Sequence, residues 1–273
     1  MIYSKEYEES IVETWVSYGG GVQTFGMLLA IRQGIIPKVN GFIFSDTKAE
    51  YPETYIHIQT IVKPLLEKMN IPFVEVSKKD GIIEGYKETN TIPIAGFRSC
   101  TMKYKVEPIQ KYFRSRIKEL GIKKGRGKPI FKMLIGISSD ESGRAISPKN
   151  QKPKWLLNSY PFLELDWSRK KIIEFIQELG FEVPRKSGCY MCPYSGLKGF
   201  VNLKVHYPDL FKNAIEMEDL YFKNRPERIH GFLSSSMIKL RELEQIPTLY
   251  SFVDKLPEET GGCKNTEIGG CFL

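Results

Sequence analysis

Three consecutive glycines near the start of the chain are the residues best suited to ligand chemistry. Gly19-Gly20-Gly21 lies between an apolar stretch, Ile11–Val16, and a helical pattern that begins at Phe25. Glycines between a strand and a helix let the backbone approach a ligand closely, and the N–H groups of a helix N-terminus attract phosphate. The sequence therefore predicts a phosphate-binding loop, although an ordinary turn between strand and helix would contain similar glycines. The candidate contacts are Ser17, Gly19, Gly20, Gly21, Gln23 and Thr24.

An acidic residue follows the next apolar stretch. Asp46 comes directly after Val39–Phe44, where its carboxylate could accept hydrogen bonds from a ribose or from an adenine amino group. The alternative is structural, since an Asp before a helix often caps the helix N-terminus. We expect Asp46 to face the same ligand as the glycines.

A third polar segment, Gly136–Arg144, overlaps the end of the apolar stretch Ile130–Ser138 and continues beyond it. Asp140 and Glu141 could hold the magnesium of a triphosphate, and Arg144 could bind one of its phosphates. The alternative is an internal pair between Glu141 and Arg144 at the start of a helix. The position of this loop after a strand favours the ligand-binding interpretation.

The cysteines and the basic residues near one of them form the last candidate group. Cys189 and Cys192 make a CxxC motif, and Cys100 lies well upstream of it. A single CxxC is ambiguous, because it can bind metal or merely stabilise a turn. Arg98, Lys103 and Lys105 flank Cys100 and could contact phosphate or sulfate, while a solvated helix face is the alternative for the lysines.

Short apolar stretches and helical patterns alternate through the first half of the chain, which predicts an α/β fold with a parallel sheet covered by helices on both faces. In such sheets ligands bind outside the carboxyl ends of the strands, so the three loops should meet at one edge. The pattern changes after residue 146. We therefore expect a nucleotide-binding core over 1–146 and a mostly helical extension that contains the CxxC over 147–273, with a loosely ordered tail.

The bulk composition restricts the class of protein. The 273 residues are 41% hydrophobic and carry a formal charge of +8, which favours a polyanionic partner such as nucleic acid or a phosphorylated small molecule. Simple solubility would explain the charge equally well. The chain shows neither a signal peptide nor a membrane-spanning run, so we expect a cytoplasmic protein that does not bind membranes and whose cysteines are thiols or metal ligands.

Taken in order, these segments resemble a known family. Gly19–Thr24 is similar to the PP-loop, Ser-Gly-Gly-x-Asp-Ser, of the ATP pyrophosphatase or adenine nucleotide α-hydrolase superfamily. Gly19 replaces the usual Ser, and Gln23 replaces an Asp that would carry a carboxylate. Pro52-Glu53-Thr54 and Pro161–Ile176 resemble segments of the phosphoadenylyl-sulfate (PAPS) reductase branch, and the likeness extends over roughly residues 11 to 200.

The same resemblance suggests a cofactor. The segment that begins at Arg98 looks like the Cys-Cys-x-x-x-Lys-Val motif of that branch, with Cys100 on the first cysteine and Thr101 on the second. Reductases of the branch hold a [4Fe–4S] cluster with this pair and a later CxxC. The resemblance thus implies Cys100, Cys189 and Cys192 as ligands, with a fourth from Cys263 or Cys271, or with one iron left open. The alternatives are a zinc site and no metal at all.

Three functions remain open at this point. The resemblance implies an enzyme that activates a substrate with ATP, releases pyrophosphate and transfers sulfur to DNA or tRNA, with Mg²⁺ as cofactor and a sulfur-donor protein as a second partner. Reduction of PAPS or APS to sulfite is the alternative, but the tail lacks the Glu-Cys-Gly-x-His ending of true reductases. A nucleotide-binding module without turnover is the third, because Gln23 lacks the usual carboxylate. Asp140, Glu141, Arg144 and Lys105 are the candidate catalytic residues.

Overall fold

Five short strands form one parallel sheet, which confirms the predicted α/β class. The computed structural model describes residues 8–94, 99–122, 127–145, 153–227, 232–234 and 237–246. The strand order is β3-β2-β1-β4-β5. The strands are β1 (Glu13–Tyr18), β2 (Gly41–Asp46), β3 (Phe73–Ser77), β4 (Phe131–Ile135) and β5 (Leu156–Ser159).

The order of the strands determines where a ligand can bind. From β1 the chain proceeds to β2 and β3 on one side, and it returns to place β4 and β5 on the other. The loops that leave the carboxyl ends of β1 and β4 therefore diverge and open a crevice between them. These are the glycine loop and the loop that carries Asp140, Glu141 and Arg144.

Helices cover both faces of the sheet. The described helices are α1 (Val22–Arg32), α2 (Pro52–His57), α3 (Lys63–Lys68), α4 (Gly81–Glu88), α5 (Ser99–Thr101), α6 (Glu107–Glu119), α7 (Pro161–Glu164), α8 (Arg169–Glu178), α9 (Gly196–His206), α10 (Pro208–Lys223) and α11 (Leu240–Gln245). Short 3₁₀ turns occupy Ser139–Arg144 and Pro193–Ser195.

The sequence predicts one continuous helix over Tyr51–Met69 and another over Met102–Leu120, and each contains a π-helical turn in the structure. Ile58–Val62 separates α2 from α3, and Met102–Val106 separates α5 from α6. Each π turn ends just before a proline, Pro64 or Pro108, near the start of the next α segment. Proline has no N–H and its ring clashes with the preceding turn, so the helix widens there instead of breaking.

The sequence predicts helix over Leu197–Leu220, and the structure divides this range into two helices. α9 ends at His206, Tyr207 adopts φ −140 and ψ 63, and Pro208 begins α10. The residue before a proline is disfavoured in the α region, which gives the physical reason for the break. The break turns the chain at Tyr207.

The sheet and its core continue beyond residue 146. β5 pairs in parallel with β4, and Ile172 and Ile176 of α8 are fully buried in the same apolar cluster as Val16 of β1 and Phe25 of α1. Segments on both sides of the predicted boundary thus share one core. A second cluster joins α4 and the π turn before α6 to α9 and α10, with Tyr104, Phe200 and Leu203 at its centre. No helix in the described ranges is long and apolar enough to cross a membrane.

The contact between α1 and α8 can be tested at Gly26. A Cβ at this position would lie 2.4 Å from Ile172 Cγ2, so we expect Gly26→Ala to lower the free energy of unfolding by about 1–3 kcal/mol in urea denaturation, despite alanine's higher helix propensity. In an Ile172→Ala background the obstructing methyl is absent, and the same change should cost less. Equal costs in both backgrounds would contradict this packing.

Candidate functional site

The glycine loop has the geometry of an anion-binding turn. β1 ends at Tyr18, and Gly21 is the N-cap of α1 without any side-chain cap. The Thr24 hydroxyl lies 3.1 Å from the Gly21 carbonyl oxygen, to which it donates, and accepts from the Gly19 N–H at 3.3 Å. The N-terminal N–H groups of α1 thus lack a side-chain acceptor, which is the arrangement that suits a bound phosphate.

The loop is packed so closely that only glycine fits at its centre. Gly20 has φ +76, and a Cβ there would lie 2.6 Å from Thr54 Cγ2. A Cβ on Gly21 would lie 2.8 Å from Ser187 Oγ. Thr54 is 3% exposed, and its hydroxyl is buried without a hydrogen-bond partner in the structure as described. A buried hydroxyl beside such a loop is a further sign of a ligand site.

A network of polar side chains lies across the crevice from the glycines. The Gln23 amide donates to Glu141 at 3.1 Å and accepts from Arg169 at 3.0 Å. Arg144 binds the same Glu141 oxygen at 2.8 Å. The pair of Glu141 and Arg144 offered as the structural alternative is therefore present, but Gln23 ties it to the glycine loop. An Asp at position 23 could not donate to Glu141, so Gln23 fits this network.

Asp140 has a structural partner in addition to its place on this loop. Its carboxylate accepts from the backbone N–H of Arg169 at 2.9 Å, at the start of α8. A carboxylate near a helix N-terminus is favourable because of the helix dipole. Ser168 is the N-cap of α8, and its hydroxyl accepts from the Lys171 N–H at 3.3 Å. The β4 loop and α8 are thereby fixed to one another beside the crevice.

Asp46 ends β2 at the same edge of the sheet, but it does not cap the following helix. Its Oδ1 accepts from the Lys48 N–H and from the Tyr55 hydroxyl, both at 2.7 Å. The N-cap of α2 is Tyr51, which makes no side-chain cap. Burial, strengthened by the bond to Asp46, raises the pKa of Tyr55, so that its hydroxyl remains a donor to the carboxylate.

Cys189 lies beside a buried carboxylate. Its Sγ is 3.2 Å from Thr47 Oγ1 and 3.9 Å from Glu50 Oε1, and Lys105 Nζ is 3.5 Å from the same Glu50 oxygen. Glu50 and Cys189 also form a backbone bridge, although they are far apart in the sequence. Burial, followed by the charge of Glu50, raises the pKa of the Cys189 thiol. Lys105 is thus placed with the thiols and not with the glycine loop.

The three described cysteines belong to one region without forming a ready-made site for a single ion. Cys189 and Cys192 share a turn in which Cys192 N–H donates to Cys189 O at 3.0 Å, and Cys100 and Cys189 pack against the same apolar cluster. Among the described residues, no three His, Cys, Asp or Glu side chains lie close enough to hold one metal ion. These residues therefore do not present a tetrahedral zinc set. The cluster ligands predicted from the resemblance stay a prediction.

Other predicted residues fall outside these two groups or outside the described residues. Ser17 lies within β1, opposite Ile43 and Ile135. Lys103 belongs to the second π turn, and its ammonium lies 5.2 Å from the ring centre of Tyr104. Arg98, Cys263 and Cys271 lie outside the described residues, as does the predicted loose tail over Pro257–Leu273.

Several residues of the site were missed in the sequence. Arg169, Ser187, Thr54 and Glu50 all contact predicted site residues. Thr54 stands in the Pro-Glu-Thr segment that resembles the PAPS reductase branch. That resemblance was the signal in the sequence that could have identified Thr54 as a site residue. Nothing in the local sequence distinguishes Arg169 from the lysines that follow it, because its partner Gln23 is distant along the chain.

Comparisons with known proteins give one curated protein and one solved structure of limited similarity to this chain. No protein-family model matches the chain. The uncharacterized protein MJ0973 of Methanocaldococcus jannaschii is 26% identical over 216 residues, which are 75% of this chain and 48% of that protein, so the chain spans about half the length of this relative. The U34-tRNA thiolase NcsA from Methanococcus maripaludis, solved with its [4Fe-4S] cluster, has a TM-score of 0.42 and 18% identity, over 89% of this chain and 76% of that chain.

The packing of the glycine loop predicts the effect of one methyl group. Gly20→Ala should weaken ATP binding, because the added Cβ would meet Thr54 and a side chain at φ +76 costs about 1–2 kcal/mol. Gly34→Ala is the matched control, since Gly34 has φ +74 with nothing within 4 Å and lies beyond the far end of α1. Calorimetric titration with ATP would measure both. Full ATP affinity in a folded Gly20→Ala variant would exclude this loop as the nucleotide site.

Proposed function

We propose that this chain is an enzyme of the PP-loop kind that activates an acceptor with ATP, releases pyrophosphate and transfers sulfur to the acceptor, which is a nucleic acid. The observation that carries the proposal is the meeting of the glycine loop with the Glu141–Arg144 loop at the point where the strand order reverses. That crevice is where open α/β sheets bind nucleotides. NcsA, whose likeness to this chain is weak, is itself a tRNA thiolase, and the proposal stands on the loops and thiols of this chain.

The side chains at the crevice suit the phosphates of ATP. The glycine-loop N–H groups and the Thr24 hydroxyl would hold the phosphates, while Arg144 and Arg169 would stabilise the charge that develops on the leaving pyrophosphate. Magnesium is commonly held by one or two carboxylates together with substrate phosphates. Glu141 and Asp140 are the carboxylates available on this loop, so the loss of a carboxylate at position 23 is compatible with a magnesium-bound triphosphate.

The proposed reaction balances in two steps. An acceptor oxygen attacks the α-phosphorus of ATP; an O–P bond forms, the bond to the β-phosphate oxygen breaks and pyrophosphate leaves. A sulfide donor then attacks the acceptor carbon that bears this oxygen; a C–S bond forms, the C–O bond breaks and AMP leaves. Neither step changes the oxidation state of the acceptor. Positioning and charge stabilisation are the contributions required of the protein.

The cysteines would serve the sulfur-transfer step of the proposed reaction. Cys189, Cys192 and Cys100 would hold an iron–sulfur cluster, whose chemistry is to present sulfide to the activated atom. The thiolate forms bind iron, and the positive charge of Lys105 offsets part of the effect by which burial and Glu50 raise the pKa of Cys189. Ser187 contacts the glycine loop two residues before Cys189, so the thiols and the phosphate site are close along one segment.

Pyrophosphate release tests the overall activity. The full chain, prepared without oxygen, is incubated with ATP, magnesium, unmodified tRNA and sulfide, and pyrophosphate and thiolated nucleosides are measured. We expect both products to depend on the nucleic acid. Sulfite formation from PAPS with thioredoxin would instead identify a reductase, and ATP binding without either product would identify a module without turnover.

Arg144 provides a test of the phosphate site. Arg144→Ala should weaken ATP binding by roughly 1.5–3 kcal/mol, the value of a charge-assisted hydrogen bond, while adenosine binding stays constant. Arg114→Ala is the control, because Arg114 is an exposed arginine of α6 that bonds to Gln110 on its own helix. A uniform loss of affinity for ATP and adenosine would contradict the assignment.

The cysteine ligands are tested by metal content. After anaerobic reconstitution we expect the parent chain to bind iron and sulfide, and Cys100→Ser, Cys189→Ser and Cys192→Ser each to lose most of both. Cys263→Ser and Cys271→Ser should do less damage, because the resemblance matches only Cys100, Cys189 and Cys192 to the ligand positions of the family. Iron assay and the visible absorption of the cluster measure this. Retention of iron by the Cys100→Ser variant would exclude the predicted ligand set.

A further inference from the structure

A polar cleft lies beside the glycine loop and is not explained by phosphate or thiol chemistry. Its volume is about 530 Å³, and it is lined by Glu53, Arg185, Asn202, His206 and Tyr207. This is within the usual range of ligand pockets, about 300–1,000 Å³. Asn202 and His206 belong to α9, and Tyr207 is the residue at which α9 ends. Arg185 comes from the segment before α9.

The basic residue of the cleft is already held by aromatic and acidic partners. The Arg185 guanidinium lies 4.5 Å from the ring centre of Tyr51 and 5.0 Å from that of Tyr207. It donates to the Tyr207 hydroxyl, which donates in turn to Glu53, and its Nη1 is 3.6 Å from Glu53 Oε1. Because Arg185 and Glu53 balance one another, the cleft is a poor site for an isolated phosphate. It favours a ligand that is flat, polar and uncharged.

One acceptor in the cleft has no partner. Glu53 Oε2 is shielded from solvent without a hydrogen bond in the described structure, although Oε1 of the same carboxylate accepts from Tyr207. The Glu53 side chain as a whole is 45% exposed, so it can turn to present this oxygen to a ligand N–H in the cleft. Burial acts to raise the pKa of Glu53, but the bond from Tyr207 and the charge of Arg185 outweigh it and lower the pKa, so the carboxylate is ionised at neutral pH.

The remaining lining residues offer amide and imidazole groups on one helix face. Asn202 and His206 are four residues apart on α9, and Lys198 lies one turn before Asn202 on the same stripe. The amide of Asn202 can both donate and accept, which matches the edge of a nucleobase. Exposed His206 presents a ring on which a base can stack.

The cleft is connected to both halves of the proposed active site through short segments. Glu53 faces the cleft, and its neighbour Thr54 contacts Gly20. Arg185 lines the cleft, and Ser187 contacts the glycine loop, so at most about 7 Å of chain separates the two sites. Cys189 follows two residues later. A group held in the cleft would therefore be close to the phosphates and to the thiols.

We propose that this cleft binds an unstacked base of a single-stranded nucleic-acid acceptor. The inference rests on the proposed function, whose acceptor it describes. Bases become available for such contacts when they are splayed out of a helix and stacked on aromatic or Arg side chains. The Glu53 carboxylate accepts from an amino or imino group of the base, and Asn202 binds its edge.

The test measures binding without turnover. The probes are short, unstructured, fluorescein-labelled oligo-uridine and oligo-adenosine RNAs, and a non-hydrolysable ATP analogue is titrated separately. The variant is Asn202→Ala/His206→Ala, which removes no contact on which the described fold depends. Gln177→Ala, an exposed helical amide on α8, is the control. Circular dichroism confirms that each variant is folded.

We expect the double variant to bind at least one RNA roughly fivefold or more weakly, since a stacked base contributes about 1–3 kcal/mol. Its affinity for the ATP analogue should stay within about twofold of the parent's. The slope of log Kd against log salt concentration should not change, because a base contact releases no counterions. Gln177→Ala should match the parent in every measurement.

Three results would overturn the proposal. RNA affinity equal to the parent's would show that the cleft does not bind a base of the acceptor, as would failure of the parent to bind any RNA. An equal loss for the ATP analogue would assign the cleft to the adenine of ATP. A fall of about one in the salt slope would indicate a phosphate contact. None of these binding measurements depends on pyrophosphate release. A failure of the proposed reaction would therefore appear in the pyrophosphate assay and not in these results.

Discussion

The close approach of the glycine loop to its neighbours is the constraint on which the rest of the site depends. Gly20 must adopt a left-handed conformation, and Thr54 and Ser187 pack within a few ångströms of the space that side chains at Gly20 and Gly21 would fill. This packing joins the end of β1, the start of α2 and the segment before the CxxC in one place. Glu53, the neighbour of Thr54, lines the cleft, and Ser187 is two residues from both Arg185 and Cys189.

The Gln23 network gives a physical reason for an amide at this position of the loop. In the PP-loop pattern an acidic residue occupies this position, whereas here an amide bridges Glu141 and Arg169. The amide can donate to one and accept from the other, which a carboxylate cannot do. The acidic groups of the crevice consequently lie on the loop after β4. The hydrogen bond from Arg169 to Gln23 connects α8 to the site.

Sequence reasoning predicted much of the fold because its signals are local. Apolar stretches of strand length alternate with helical patterns, and this alternation predicts the sheet and its helices. The changes at Pro64, Pro108 and Pro208, where helices widen or end, were not predicted, although the prolines were the available signal. β5 was missed because Leu156–Ser159 is short and follows residues with no clear pattern. Its parallel pairing with β4 identifies it as a strand. Because β5 belongs to the same sheet, the core continues past the boundary expected at residue 146.

What the sequence by itself determined is the α/β class, the glycine loop between β1 and α1, and the position of Asp46 and the Glu141–Arg144 loop after their strands. These follow from spacing along the chain, which fixes strand ends and helix starts. Only the tertiary structure decided that Arg169 meets Gln23, that Glu50, with Lys105 beside it, lies next to Cys189, and that Arg185 lies over two tyrosine rings that contact each other. Contacts between distant residues depend on how helices pack on the sheet, and no local pattern encodes that packing.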